Sequence, residues 1–306
     1  MQLGLCGARA PTSPAFPLGQ VGWSVSLQSR GLGFVPKHRD GGIKKKAGYL
    51  AVVALTACRA RKQNHRAPKP TTPAVYVEIE NATLEEPLEE HHVSELSPVL
   101  ESLVTNGMGV IPTDTQHAYV TPLNSKRGVR RIYDIKGVTP DERKPLSLLC
   151  SDLSMAARYC DVAALPRRWF QNLKNCLPGP YTFILRATAE VPRIILEHKS
   201  RKVWKRREVG IRIPNHSIVS QLVHDLDEPL LASSAPDSAM TIWETQNDKL
   251  DFVVSAEDVA RMWDAVEEED RVSTVVDLTM EEPVLRRQGL GDVSMFEDMV
   301  DAAVFA

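Results

Sequence analysis

The sequence contains no paired cysteines. Its five cysteines, Cys6, Cys58, Cys150, Cys160 and Cys176, form no Cys-x-x-Cys pair and lack the spacing of metal ligands. This argues against a disulfide-stabilised scaffold and against a zinc site. We therefore expect reduced thiols in a non-oxidising compartment, with no resident metal and no tightly bound cofactor.

Long apolar runs are also scarce. The apolar part of residues 44–60 covers about 12 residues, which is too short for a helix that spans a bilayer. Such a run fits the core of a targeting signal or an amphipathic patch, so we expect no membrane association. No internal repeat with a fixed period is visible.

Acidic residues are almost absent from the start of the chain. Residues 1–70 hold 12 Lys/Arg and a single acid, Asp40, although the whole chain carries a net charge of −2. A basic segment rich in Ser, Gly and Ala is typical of an organellar transit peptide, and a disordered tail is the alternative. We expect an organellar location, with a plastid favoured over a mitochondrion, and a cytoplasmic one if the leader is not a signal.

The composition also divides the chain. The Pro-rich residues 67–74 are typical of a linker. We therefore predict a targeting leader or disordered tail over 1–70 and a linker with the first strand over 71–90. The folded domain is predicted over 75–296, followed by a tail over 297–306.

Strand-like and helix-like segments alternate through the folded part. Apolar residues at helical spacing predict helices over 96–104, 125–137 and 218–226, and further helices start after 151–152 and at Pro166. Strands are predicted over 74–79, 109–111, 146–150, 181–187, 209–213, 230–232, 274–278 and 283–287. This alternation predicts an α/β fold with a mixed, twisted sheet.

A series of short motifs combines small hydroxyl residues, basic residues and Pro or Gly at strand ends. None of them is specific alone. In chain order they are Pro112-Thr113-Asp114-Thr115, Lys136-Gly137-Val138, Lys144-Pro145-Leu146, Leu177-Pro178-Gly179-Pro180, Val209-Gly210-Ile211-Arg212-Ile213-Pro214, Ser234-Ala235-Pro236, Ser273-Thr274-Val275-Val276-Asp277 and Arg287-Gln288-Gly289.

The ordered set resembles the YrdC/YciO family of threonylcarbamoyl-AMP synthase-like proteins over residues 75–293. The segment 275–293 is most similar to the YciO branch. The resemblance implies a YrdC-like twisted mixed sheet with flanking helices around a positively charged concave cavity. The family's enzymes join L-threonine, bicarbonate and ATP, supplied with magnesium as a substrate, into an adenylate used for tRNA modification.

The resemblance also implies a set of binding residues, although no catalytic residue is assigned with certainty. A triphosphate needs fixed cations, and the matching positions are Lys136, Lys144, Arg212 and Arg287. An amino acid and its carbamate need short hydroxyls, and the matching positions are Thr113, Thr115, Ser234 and Ser273. Positioning and charge neutralisation would carry the reaction, without a histidine–carboxylate pair.

Two positions depart from the family pattern. Val138 stands where the basic motif has its second cation, and Pro236 stands where a serine motif has its asparagine. Each lost charge-assisted contact typically costs about 1.5–3 kcal/mol. An acidic run over 267–270 also replaces a glycine-rich turn, and it is read as a solvated loop.

A basic segment over residues 198–208 suggests a nucleic-acid partner. It holds six Lys/Arg and one Trp in its 11 residues. Cations fit phosphates and an indole fits an unstacked base, whereas a surface loop with a packed Trp is the alternative. The candidate RNA-binding residues are Lys199, Arg201, Lys202, Trp204, Lys205, Arg206 and Arg207, and the cations Lys126, Arg127, Arg130, Arg131, Arg167 and Arg168 could extend the same surface.

Two functions remain open on the sequence. The first is a protein that binds double-stranded or structured RNA, such as tRNA or rRNA, and nucleotide, with little or no synthase activity. The alternative is a nucleotidyltransferase, L-threonylcarbamoyladenylate synthase, with ATP and L-threonine as partners. Val138 and Pro236 favour the first, and Lys136, Ser273 and Arg287 support the second. The sequence does not indicate the oligomeric state.

Overall fold

The computed structural model describes residues 74–80, 87–138, 144–198, 204–205, 207–256, 266–267, 270–296 and 300–301. The predicted leader over 1–70 and part of the linker lie outside these residues, so both stay predictions. Where the structure describes it, the chain consists of one large mixed sheet, a small hairpin and flanking helices.

The strands follow the predicted order closely. They are β1 Val75–Ile79, β2 Gly109–Ile111, β3 His117–Pro122, β4 Ser147–Leu149, β5 Tyr181–Arg186, β6 Glu197–His198, β7 Trp204–Lys205, β8 Glu208–Arg212, β9 Leu230–Ala235, β10 Phe252–Ala256, β11 Thr274–Asp277, β12 Val284–Arg287 and β13 Val300–Asp301. Among these, β6 and β7 pair only with each other, and the remaining strands form one sheet.

The sheet mixes parallel and antiparallel neighbours. Its order is β1-β10-β2-β3-β9-β4-β8-β5-β11-β12-β13. The pairs β1–β10, β10–β2, β4–β8, β5–β11 and β12–β13 are parallel, and the others are antiparallel. Strands next to each other in the sheet are mostly distant in sequence, so the sheet is held together by long-range pairing.

Four of the described helices begin after a residue whose side chain caps a free backbone N–H group. The described α-helices are α1 Glu90–Glu95, α2 Ser97–Val104, α3 Lys126–Ile135, α4 Leu153–Tyr159, α5 Arg167–Cys176, α6 Arg193–Leu196, α7 Ser217–Leu226 and α8 Ala239–Gln246. The hydroxyl of Ser125 accepts a hydrogen bond from the Gly128 N–H and starts α3, and the Asp152 carboxylate accepts one from the Met155 N–H and starts α4. Such caps typically contribute about 1 kcal/mol each.

The core lies between the sheet and the helices. The central strand β2 is buried on both faces, as are most of the residues of β10 beside it. Strands β2 and β10 lie close together at Gly109, where a Cβ atom would be 2.3 Å from the carbonyl oxygen of Phe252. Phe183, Phe252 and Phe296 are the largest fully buried side chains. Each such side chain stabilises the fold by about 1.5–3 kcal/mol through removal from water.

The predicted α/β class with a mixed sheet is confirmed, and a few elements differ. Strand β3, helix α8 and strand β10 were not predicted, because their apolar residues follow no clean period. The helix predicted over 96–104 runs from Ser97 to Val104, and Leu96 is its cap residue. Two residues of the predicted tail form β13, which pairs with β12.

Two histidines, His117 at the start of β3 and His216 at the cap of α7, predict a sensitivity to acid. Burial lowers the pKa of His117 to about 4, and burial together with His117 lowers that of His216 to about 3. The unfolded chain binds these protons near pH 6.5, whereas the folded chain does not. The free energy of unfolding should therefore fall as the pH drops from 6.5 toward 4, by up to about 1.4 kcal/mol per pH unit for each histidine.

Urea unfolding at pH 6.5, 5.8 and 5.0 measures this slope above the main range of carboxylate titration. His117→Gln should reduce the slope by about one proton. An equal slope in the wild type and in His117→Gln would show that His117 is protonated in the folded state.

Candidate functional site

A cavity of about 590 Å³ lies against one face of the sheet. Its size falls in the range of small-molecule sites. The charged and polar lining residues are Gln116, Tyr133, Lys136, Lys144, Ser147, Thr182, Glu208, Arg212, Ser233, Ser234, Ser273 and Arg287. Apolar residues complete the wall, among them Val138, Ile184, Val209, Pro236 and Val275.

Most of the predicted binding residues meet at this cavity. The lining includes Lys136, Lys144, Arg212, Ser234, Ser273 and Arg287, which come from six separate places in the sequence. Thr113 and Thr115 do not line it. Both are buried, their hydroxyls lie 3.2 Å apart, and the Thr113 hydroxyl donates to the Gln116 carbonyl. Their contacts are with the protein's own polar groups, so they shape the turn behind the cavity.

Cations that lack an ionic partner give the cavity its charge. The Lys136 ammonium donates to the Ser234 carbonyl at 2.7 Å, and neither Lys136 nor Lys144 has an ion pair among the described residues. Burial, and then the charge of Lys144, lower the pKa of Lys136. Glu208 is the one acid among the described lining residues. The cavity therefore carries positive charge that the described residues around it do not neutralise.

A second cationic wall is formed by Arg287. Its guanidinium donates to the Ser273 carbonyl at 2.9 Å and to the Ser273 hydroxyl at 3.1 Å. Burial, and then the charge of Arg212, lower the pKa of Arg287. Two pairs of neighbouring cations thus face one space, Lys136 with Lys144 and Arg287 with Arg212. In each pair, the charge of one cation lowers the pKa of the other. A bound anion would relieve both repulsions.

Asp114 is a site residue that the sequence reasoning passed over. Its carboxylate accepts a hydrogen bond from Arg212 Nη2 at 2.7 Å and one from the Asn215 backbone N–H at 3.0 Å. Burial raises the pKa of Asp114, and the Arg212 guanidinium opposes that rise. Arg212 Nη2 also donates to the Thr115 hydroxyl at 3.0 Å. This network holds Arg212 in place through Nη2, whereas the buried Nε of Arg212 has no hydrogen-bond partner among the described residues.

Thr182 and Ser233 were also missed. The Thr182 hydroxyl lies 2.8 Å from the Ser273 hydroxyl. The alternation along β5 could have predicted Thr182. Tyr181, Phe183 and Leu185 are in the core, whereas Thr182 and Ile184 line the cavity. A period of two places Thr182 on the face opposite the core residues.

The two departures from the family pattern lie at the same cavity. Val138 lines it just after Gly137, whose φ of 60° ends the α3 region, and Pro236 lines it just after β9. Both positions therefore present apolar surface where a donor was expected. Of the acidic run, Glu267 and Asp270 are described and neither is a lining residue.

The basic segment is only partly described. Lys199, Arg201, Lys202 and Arg206 lie outside the described residues. Trp204 and Lys205 form β7, which pairs with β6 in a two-stranded hairpin separate from the large sheet. Arg207 is exposed and its carbonyl accepts a hydrogen bond from the Ala187 N–H at 2.8 Å. The next residue, Glu208, lines the cavity, so this segment joins the sheet at the cavity rim.

The described residues contain neither a metal-binding cluster nor a helix that could span a membrane. In that part of the chain no group of three or more His, Cys, Asp or Glu side chains is placed to hold a metal ion. None of the helices found there combines the length and the apolar character needed to cross a membrane.

The fold and the cavity define a mixed α/β protein with a basic cavity, and sequence comparison identifies its family. Residues 101–289 match the Sua5/YciO/YrdC family, described as "Telomere recombination". The chain belongs to this family. It is 32% identical over 209 residues to YciO of Escherichia coli strain K12, covering 66% of this chain and 92% of that protein.

Other relatives carry an enzyme name. The chain is 26% identical over 197 residues to the threonylcarbamoyl-AMP synthase of Vibrio vulnificus strain YJ016, covering 64% of this chain and all of that protein. The crystal structure of E. coli YciO superimposes with a TM-score of 0.58 at 26% identity over 73% of this chain and 99% of that one. The crystal structure of P. abyssi Sua5 complexed with L-threonine superimposes with a TM-score of 0.60 at 21% identity. The match covers 76% of this chain and 64% of that one. The predicted family and fold are thereby confirmed.

The Asp114–Arg212 pair predicts a large loss of stability on substitution. Asp114→Asn keeps the shape of the side chain but leaves the Arg212 charge buried without its partner. We expect the free energy of unfolding to fall by about 3–5 kcal/mol. The matched control is Asp227→Asn, which removes the exposed pair with Arg158 and should cost less than about 1 kcal/mol. Urea unfolding of both variants measures the difference, and similar small losses would contradict the assigned role of Asp114.

Proposed function

We propose that the basic cavity binds ATP and L-threonine and carries out threonylcarbamoyl-AMP synthesis. The observation that carries this proposal is the set of cations that face one space and have no ionic partner among the residues that the structure describes. Lys136, Lys144 and Arg287 leave their positive charge to be neutralised by a ligand. A polyphosphate supplies that charge. Membership of a family that includes threonylcarbamoyl-AMP synthases supports the choice of reaction.

The cavity offers different partners to the phosphates of ATP and to the amino acid with its carbamate. Lys136, Lys144 and Arg287 provide charge-assisted donors for phosphates and for the leaving pyrophosphate. The hydroxyls of Thr182, Ser234 and Ser273 provide short polar contacts for the amino acid and its carbamate. The carbamate oxygen would attack the α-phosphorus of ATP, forming the adenylate and releasing pyrophosphate. The protein's contribution is to hold these groups together and to neutralise charge.

Arg212 takes a different role from the one its motif implies. Its Nη2 donates to the Asp114 carboxylate and to the Thr115 hydroxyl, and its side chain is 9% exposed. We assign it to positioning the 113–115 turn against the cavity. Its positive charge still acts on Arg287 across the site.

Val138 and Pro236 should slow turnover without abolishing binding. Neither side chain can donate a hydrogen bond, and both line the cavity. The remaining cations attract the triphosphate through charge, which depends little on exact orientation. Alignment of the reacting atoms depends on directed donors, and misplacement by about 1 Å can cost about 100-fold in rate.

The proposal is tested with the full chain, ATP, L-threonine and bicarbonate, by following pyrophosphate release and the adenylate product. Lys136→Met should weaken ATP binding by about 10- to 100-fold, the loss expected for one charge-assisted contact. The matched control is Lys174→Met on the exposed side of α5, which should bind ATP as the wild type does.

A gain of function completes the test. Val138→Arg with Pro236→Asn should raise turnover, because it restores the missing donors. The proposal would be wrong if the wild type did not bind ATP and the double variant formed no product. ATP binding without turnover in either protein would restrict the cavity to a binding function.

RNA binding is a second candidate function, favoured by one described surface. Helix α3 buries Gly128, Val129 and Ile132 and exposes Lys126 and Arg130. Its C-terminal cap residue is Lys136, at the cavity. Helix α3 thus carries exposed cations and ends at the cavity. Exposed cations fit the phosphates of a structured RNA whose modified base is handled nearby.

The RNA candidate predicts a change in salt dependence. Lys126→Gln with Arg130→Gln should reduce the slope of log affinity against log salt by up to about 0.7–0.9 for each lost phosphate contact. The matched control is Lys174→Gln with Lys249→Gln, which removes the same charge elsewhere. A salt titration with an RNA hairpin measures both, and parallel lines for wild type and the α3 variant would exclude this surface.

A further inference from the structure

Two neighbouring hydroxyls connect strands β5 and β11 on the wall of the basic cavity. Thr182 lies in β5, Ser273 directly precedes β11, and the two strands run parallel to each other. The two hydroxyl oxygens are 2.8 Å apart, and both residues are buried and line the cavity. The cavity therefore contains a buried pair of hydroxyls in addition to its cations.

The Arg287 guanidinium fixes one end of this pair. Arg287 Nη2 donates to the Ser273 hydroxyl at 3.1 Å and to the Ser273 carbonyl at 2.9 Å, and Arg287 Nε donates to the same carbonyl at 3.1 Å. Just after β12, the Gly289 N–H donates to the Thr274 hydroxyl at 3.0 Å. The segment that carries Arg287 is thus bound to the backbone beside Ser273, which holds the cation and the hydroxyl together.

Packing against β8 sets the direction of the Thr182 side chain. Gly210 of β8 pairs with Ile184 of β5, and a Cβ atom at Gly210 would be 3.3 Å from the Thr182 methyl carbon Cγ2. The glycine therefore leaves space for this methyl group. A β-branched side chain has few rotamers, and with its methyl group beside Gly210 the Thr182 hydroxyl is directed at Ser273.

The number of protons on the pair determines what it offers to a ligand. Each hydroxyl has one proton and two lone pairs. Ser273 Oγ accepts from Arg287, and the contact with Thr182 uses one of the two hydroxyl protons. When Thr182 donates in this contact, the Ser273 oxygen accepts twice. The Ser273 proton then points away from both Thr182 and Arg287.

We propose that Thr182 is a positioning residue of the basic cavity: it donates to Ser273, and the Ser273 hydroxyl donates to an oxyanion of the ligand. Arg287 lies beside the same hydroxyl and supplies positive charge. Hydrogen bonds to an anion are stronger than neutral ones, and donors fixed in advance need no reorganisation when the ligand binds. A phosphate oxygen of ATP and the carboxylate of L-threonine share this chemistry, and the choice of these two ligands rests on the proposed function.

The test compares variants of nearly equal shape. Thr182→Val keeps a β-branched side chain and removes the hydroxyl, whereas Thr182→Ser keeps the hydroxyl and removes the methyl group. Ser273→Ala removes the donor to the ligand, and Thr245→Val on the exposed side of α8 is the matched control. Circular dichroism checks that each full-length variant is folded. Isothermal titration measures the affinity for ATP, L-threonine and inorganic pyrophosphate, each added alone.

The expected result is a loss of affinity that passes through Ser273. Thr182→Val should bind the oxyanion about 3- to 10-fold more weakly than the wild type, the loss expected for one hydrogen bond. Thr182→Ser should recover most of this loss, and Thr245→Val should bind as the wild type does. Thr182→Val combined with Ser273→Ala should bind about as weakly as Ser273→Ala alone. A loss for ATP and pyrophosphate identifies a phosphate oxygen, and a loss for L-threonine identifies a carboxylate.

Several outcomes would overturn the positioning role of Thr182. They are equal affinities of wild type and Thr182→Val for all three probes, a wild type that binds none of them, an equal loss in Thr182→Ser, and additive losses in the double variant. The synthase function is judged separately by the adenylate product. Weaker pyrophosphate binding by Thr182→Val, with no adenylate from the wild type or from Val138→Arg with Pro236→Asn, would support the positioning role and contradict the synthase.

Discussion

The buried carboxylate of Asp114 is the contact on which the basic cavity depends. One oxygen accepts from Arg212 at the end of β8, and the other accepts from the backbone of Asn215, just before α7. Arg212 lines the cavity. A single charged group thus connects the turn after β2, the end of β8 and the approach to α7. Because it is buried, this ion pair cannot be exchanged for water at low cost, and it holds Arg212 in place beside the cavity.

Neighbouring cations in the basic cavity repel each other, and a bound anion can reduce this repulsion. Lys136 lies near Lys144, and Arg287 near Arg212, and in each pair like charge and burial disfavour ionisation of one member. A protein selected only for stability would place acids there, yet Glu208 is the one acid among the described lining residues. The folded state is held in this form by the large apolar core around the sheet. Binding of a polyanion then recovers free energy that folding gave up.

Local patterns predicted most elements and the identity of the cavity's cations, because capping residues, turns and strand alternation are encoded within a few residues. Gly137 marked the end of the α3 region, and the motif order placed Lys136 and Ser273 at one site. The patterns did not reveal that Lys136 contacts Ser234, 98 residues away, or that Asp114 pairs with Arg212 at the same separation. Such contacts depend on sheet order. They also explain why Asp114, a turn residue by sequence, turned out to organise the site.

Charge and alignment make separate contributions at this site, and the sequence changes affect them differently. Lys136, Lys144 and Arg287 attract a triphosphate over several ångströms, in ground state and transition state alike, which gives affinity. Directed donors at positions 138 and 236 would act only when the reacting atoms are aligned, which gives rate. With Val138 and Pro236 the cavity retains the first contribution and lacks much of the second. Under the proposed function, affinity for nucleotide and speed of adenylate formation therefore depend on different residues of this cavity, so a change at positions 138 and 236 can lower the rate while affinity is kept.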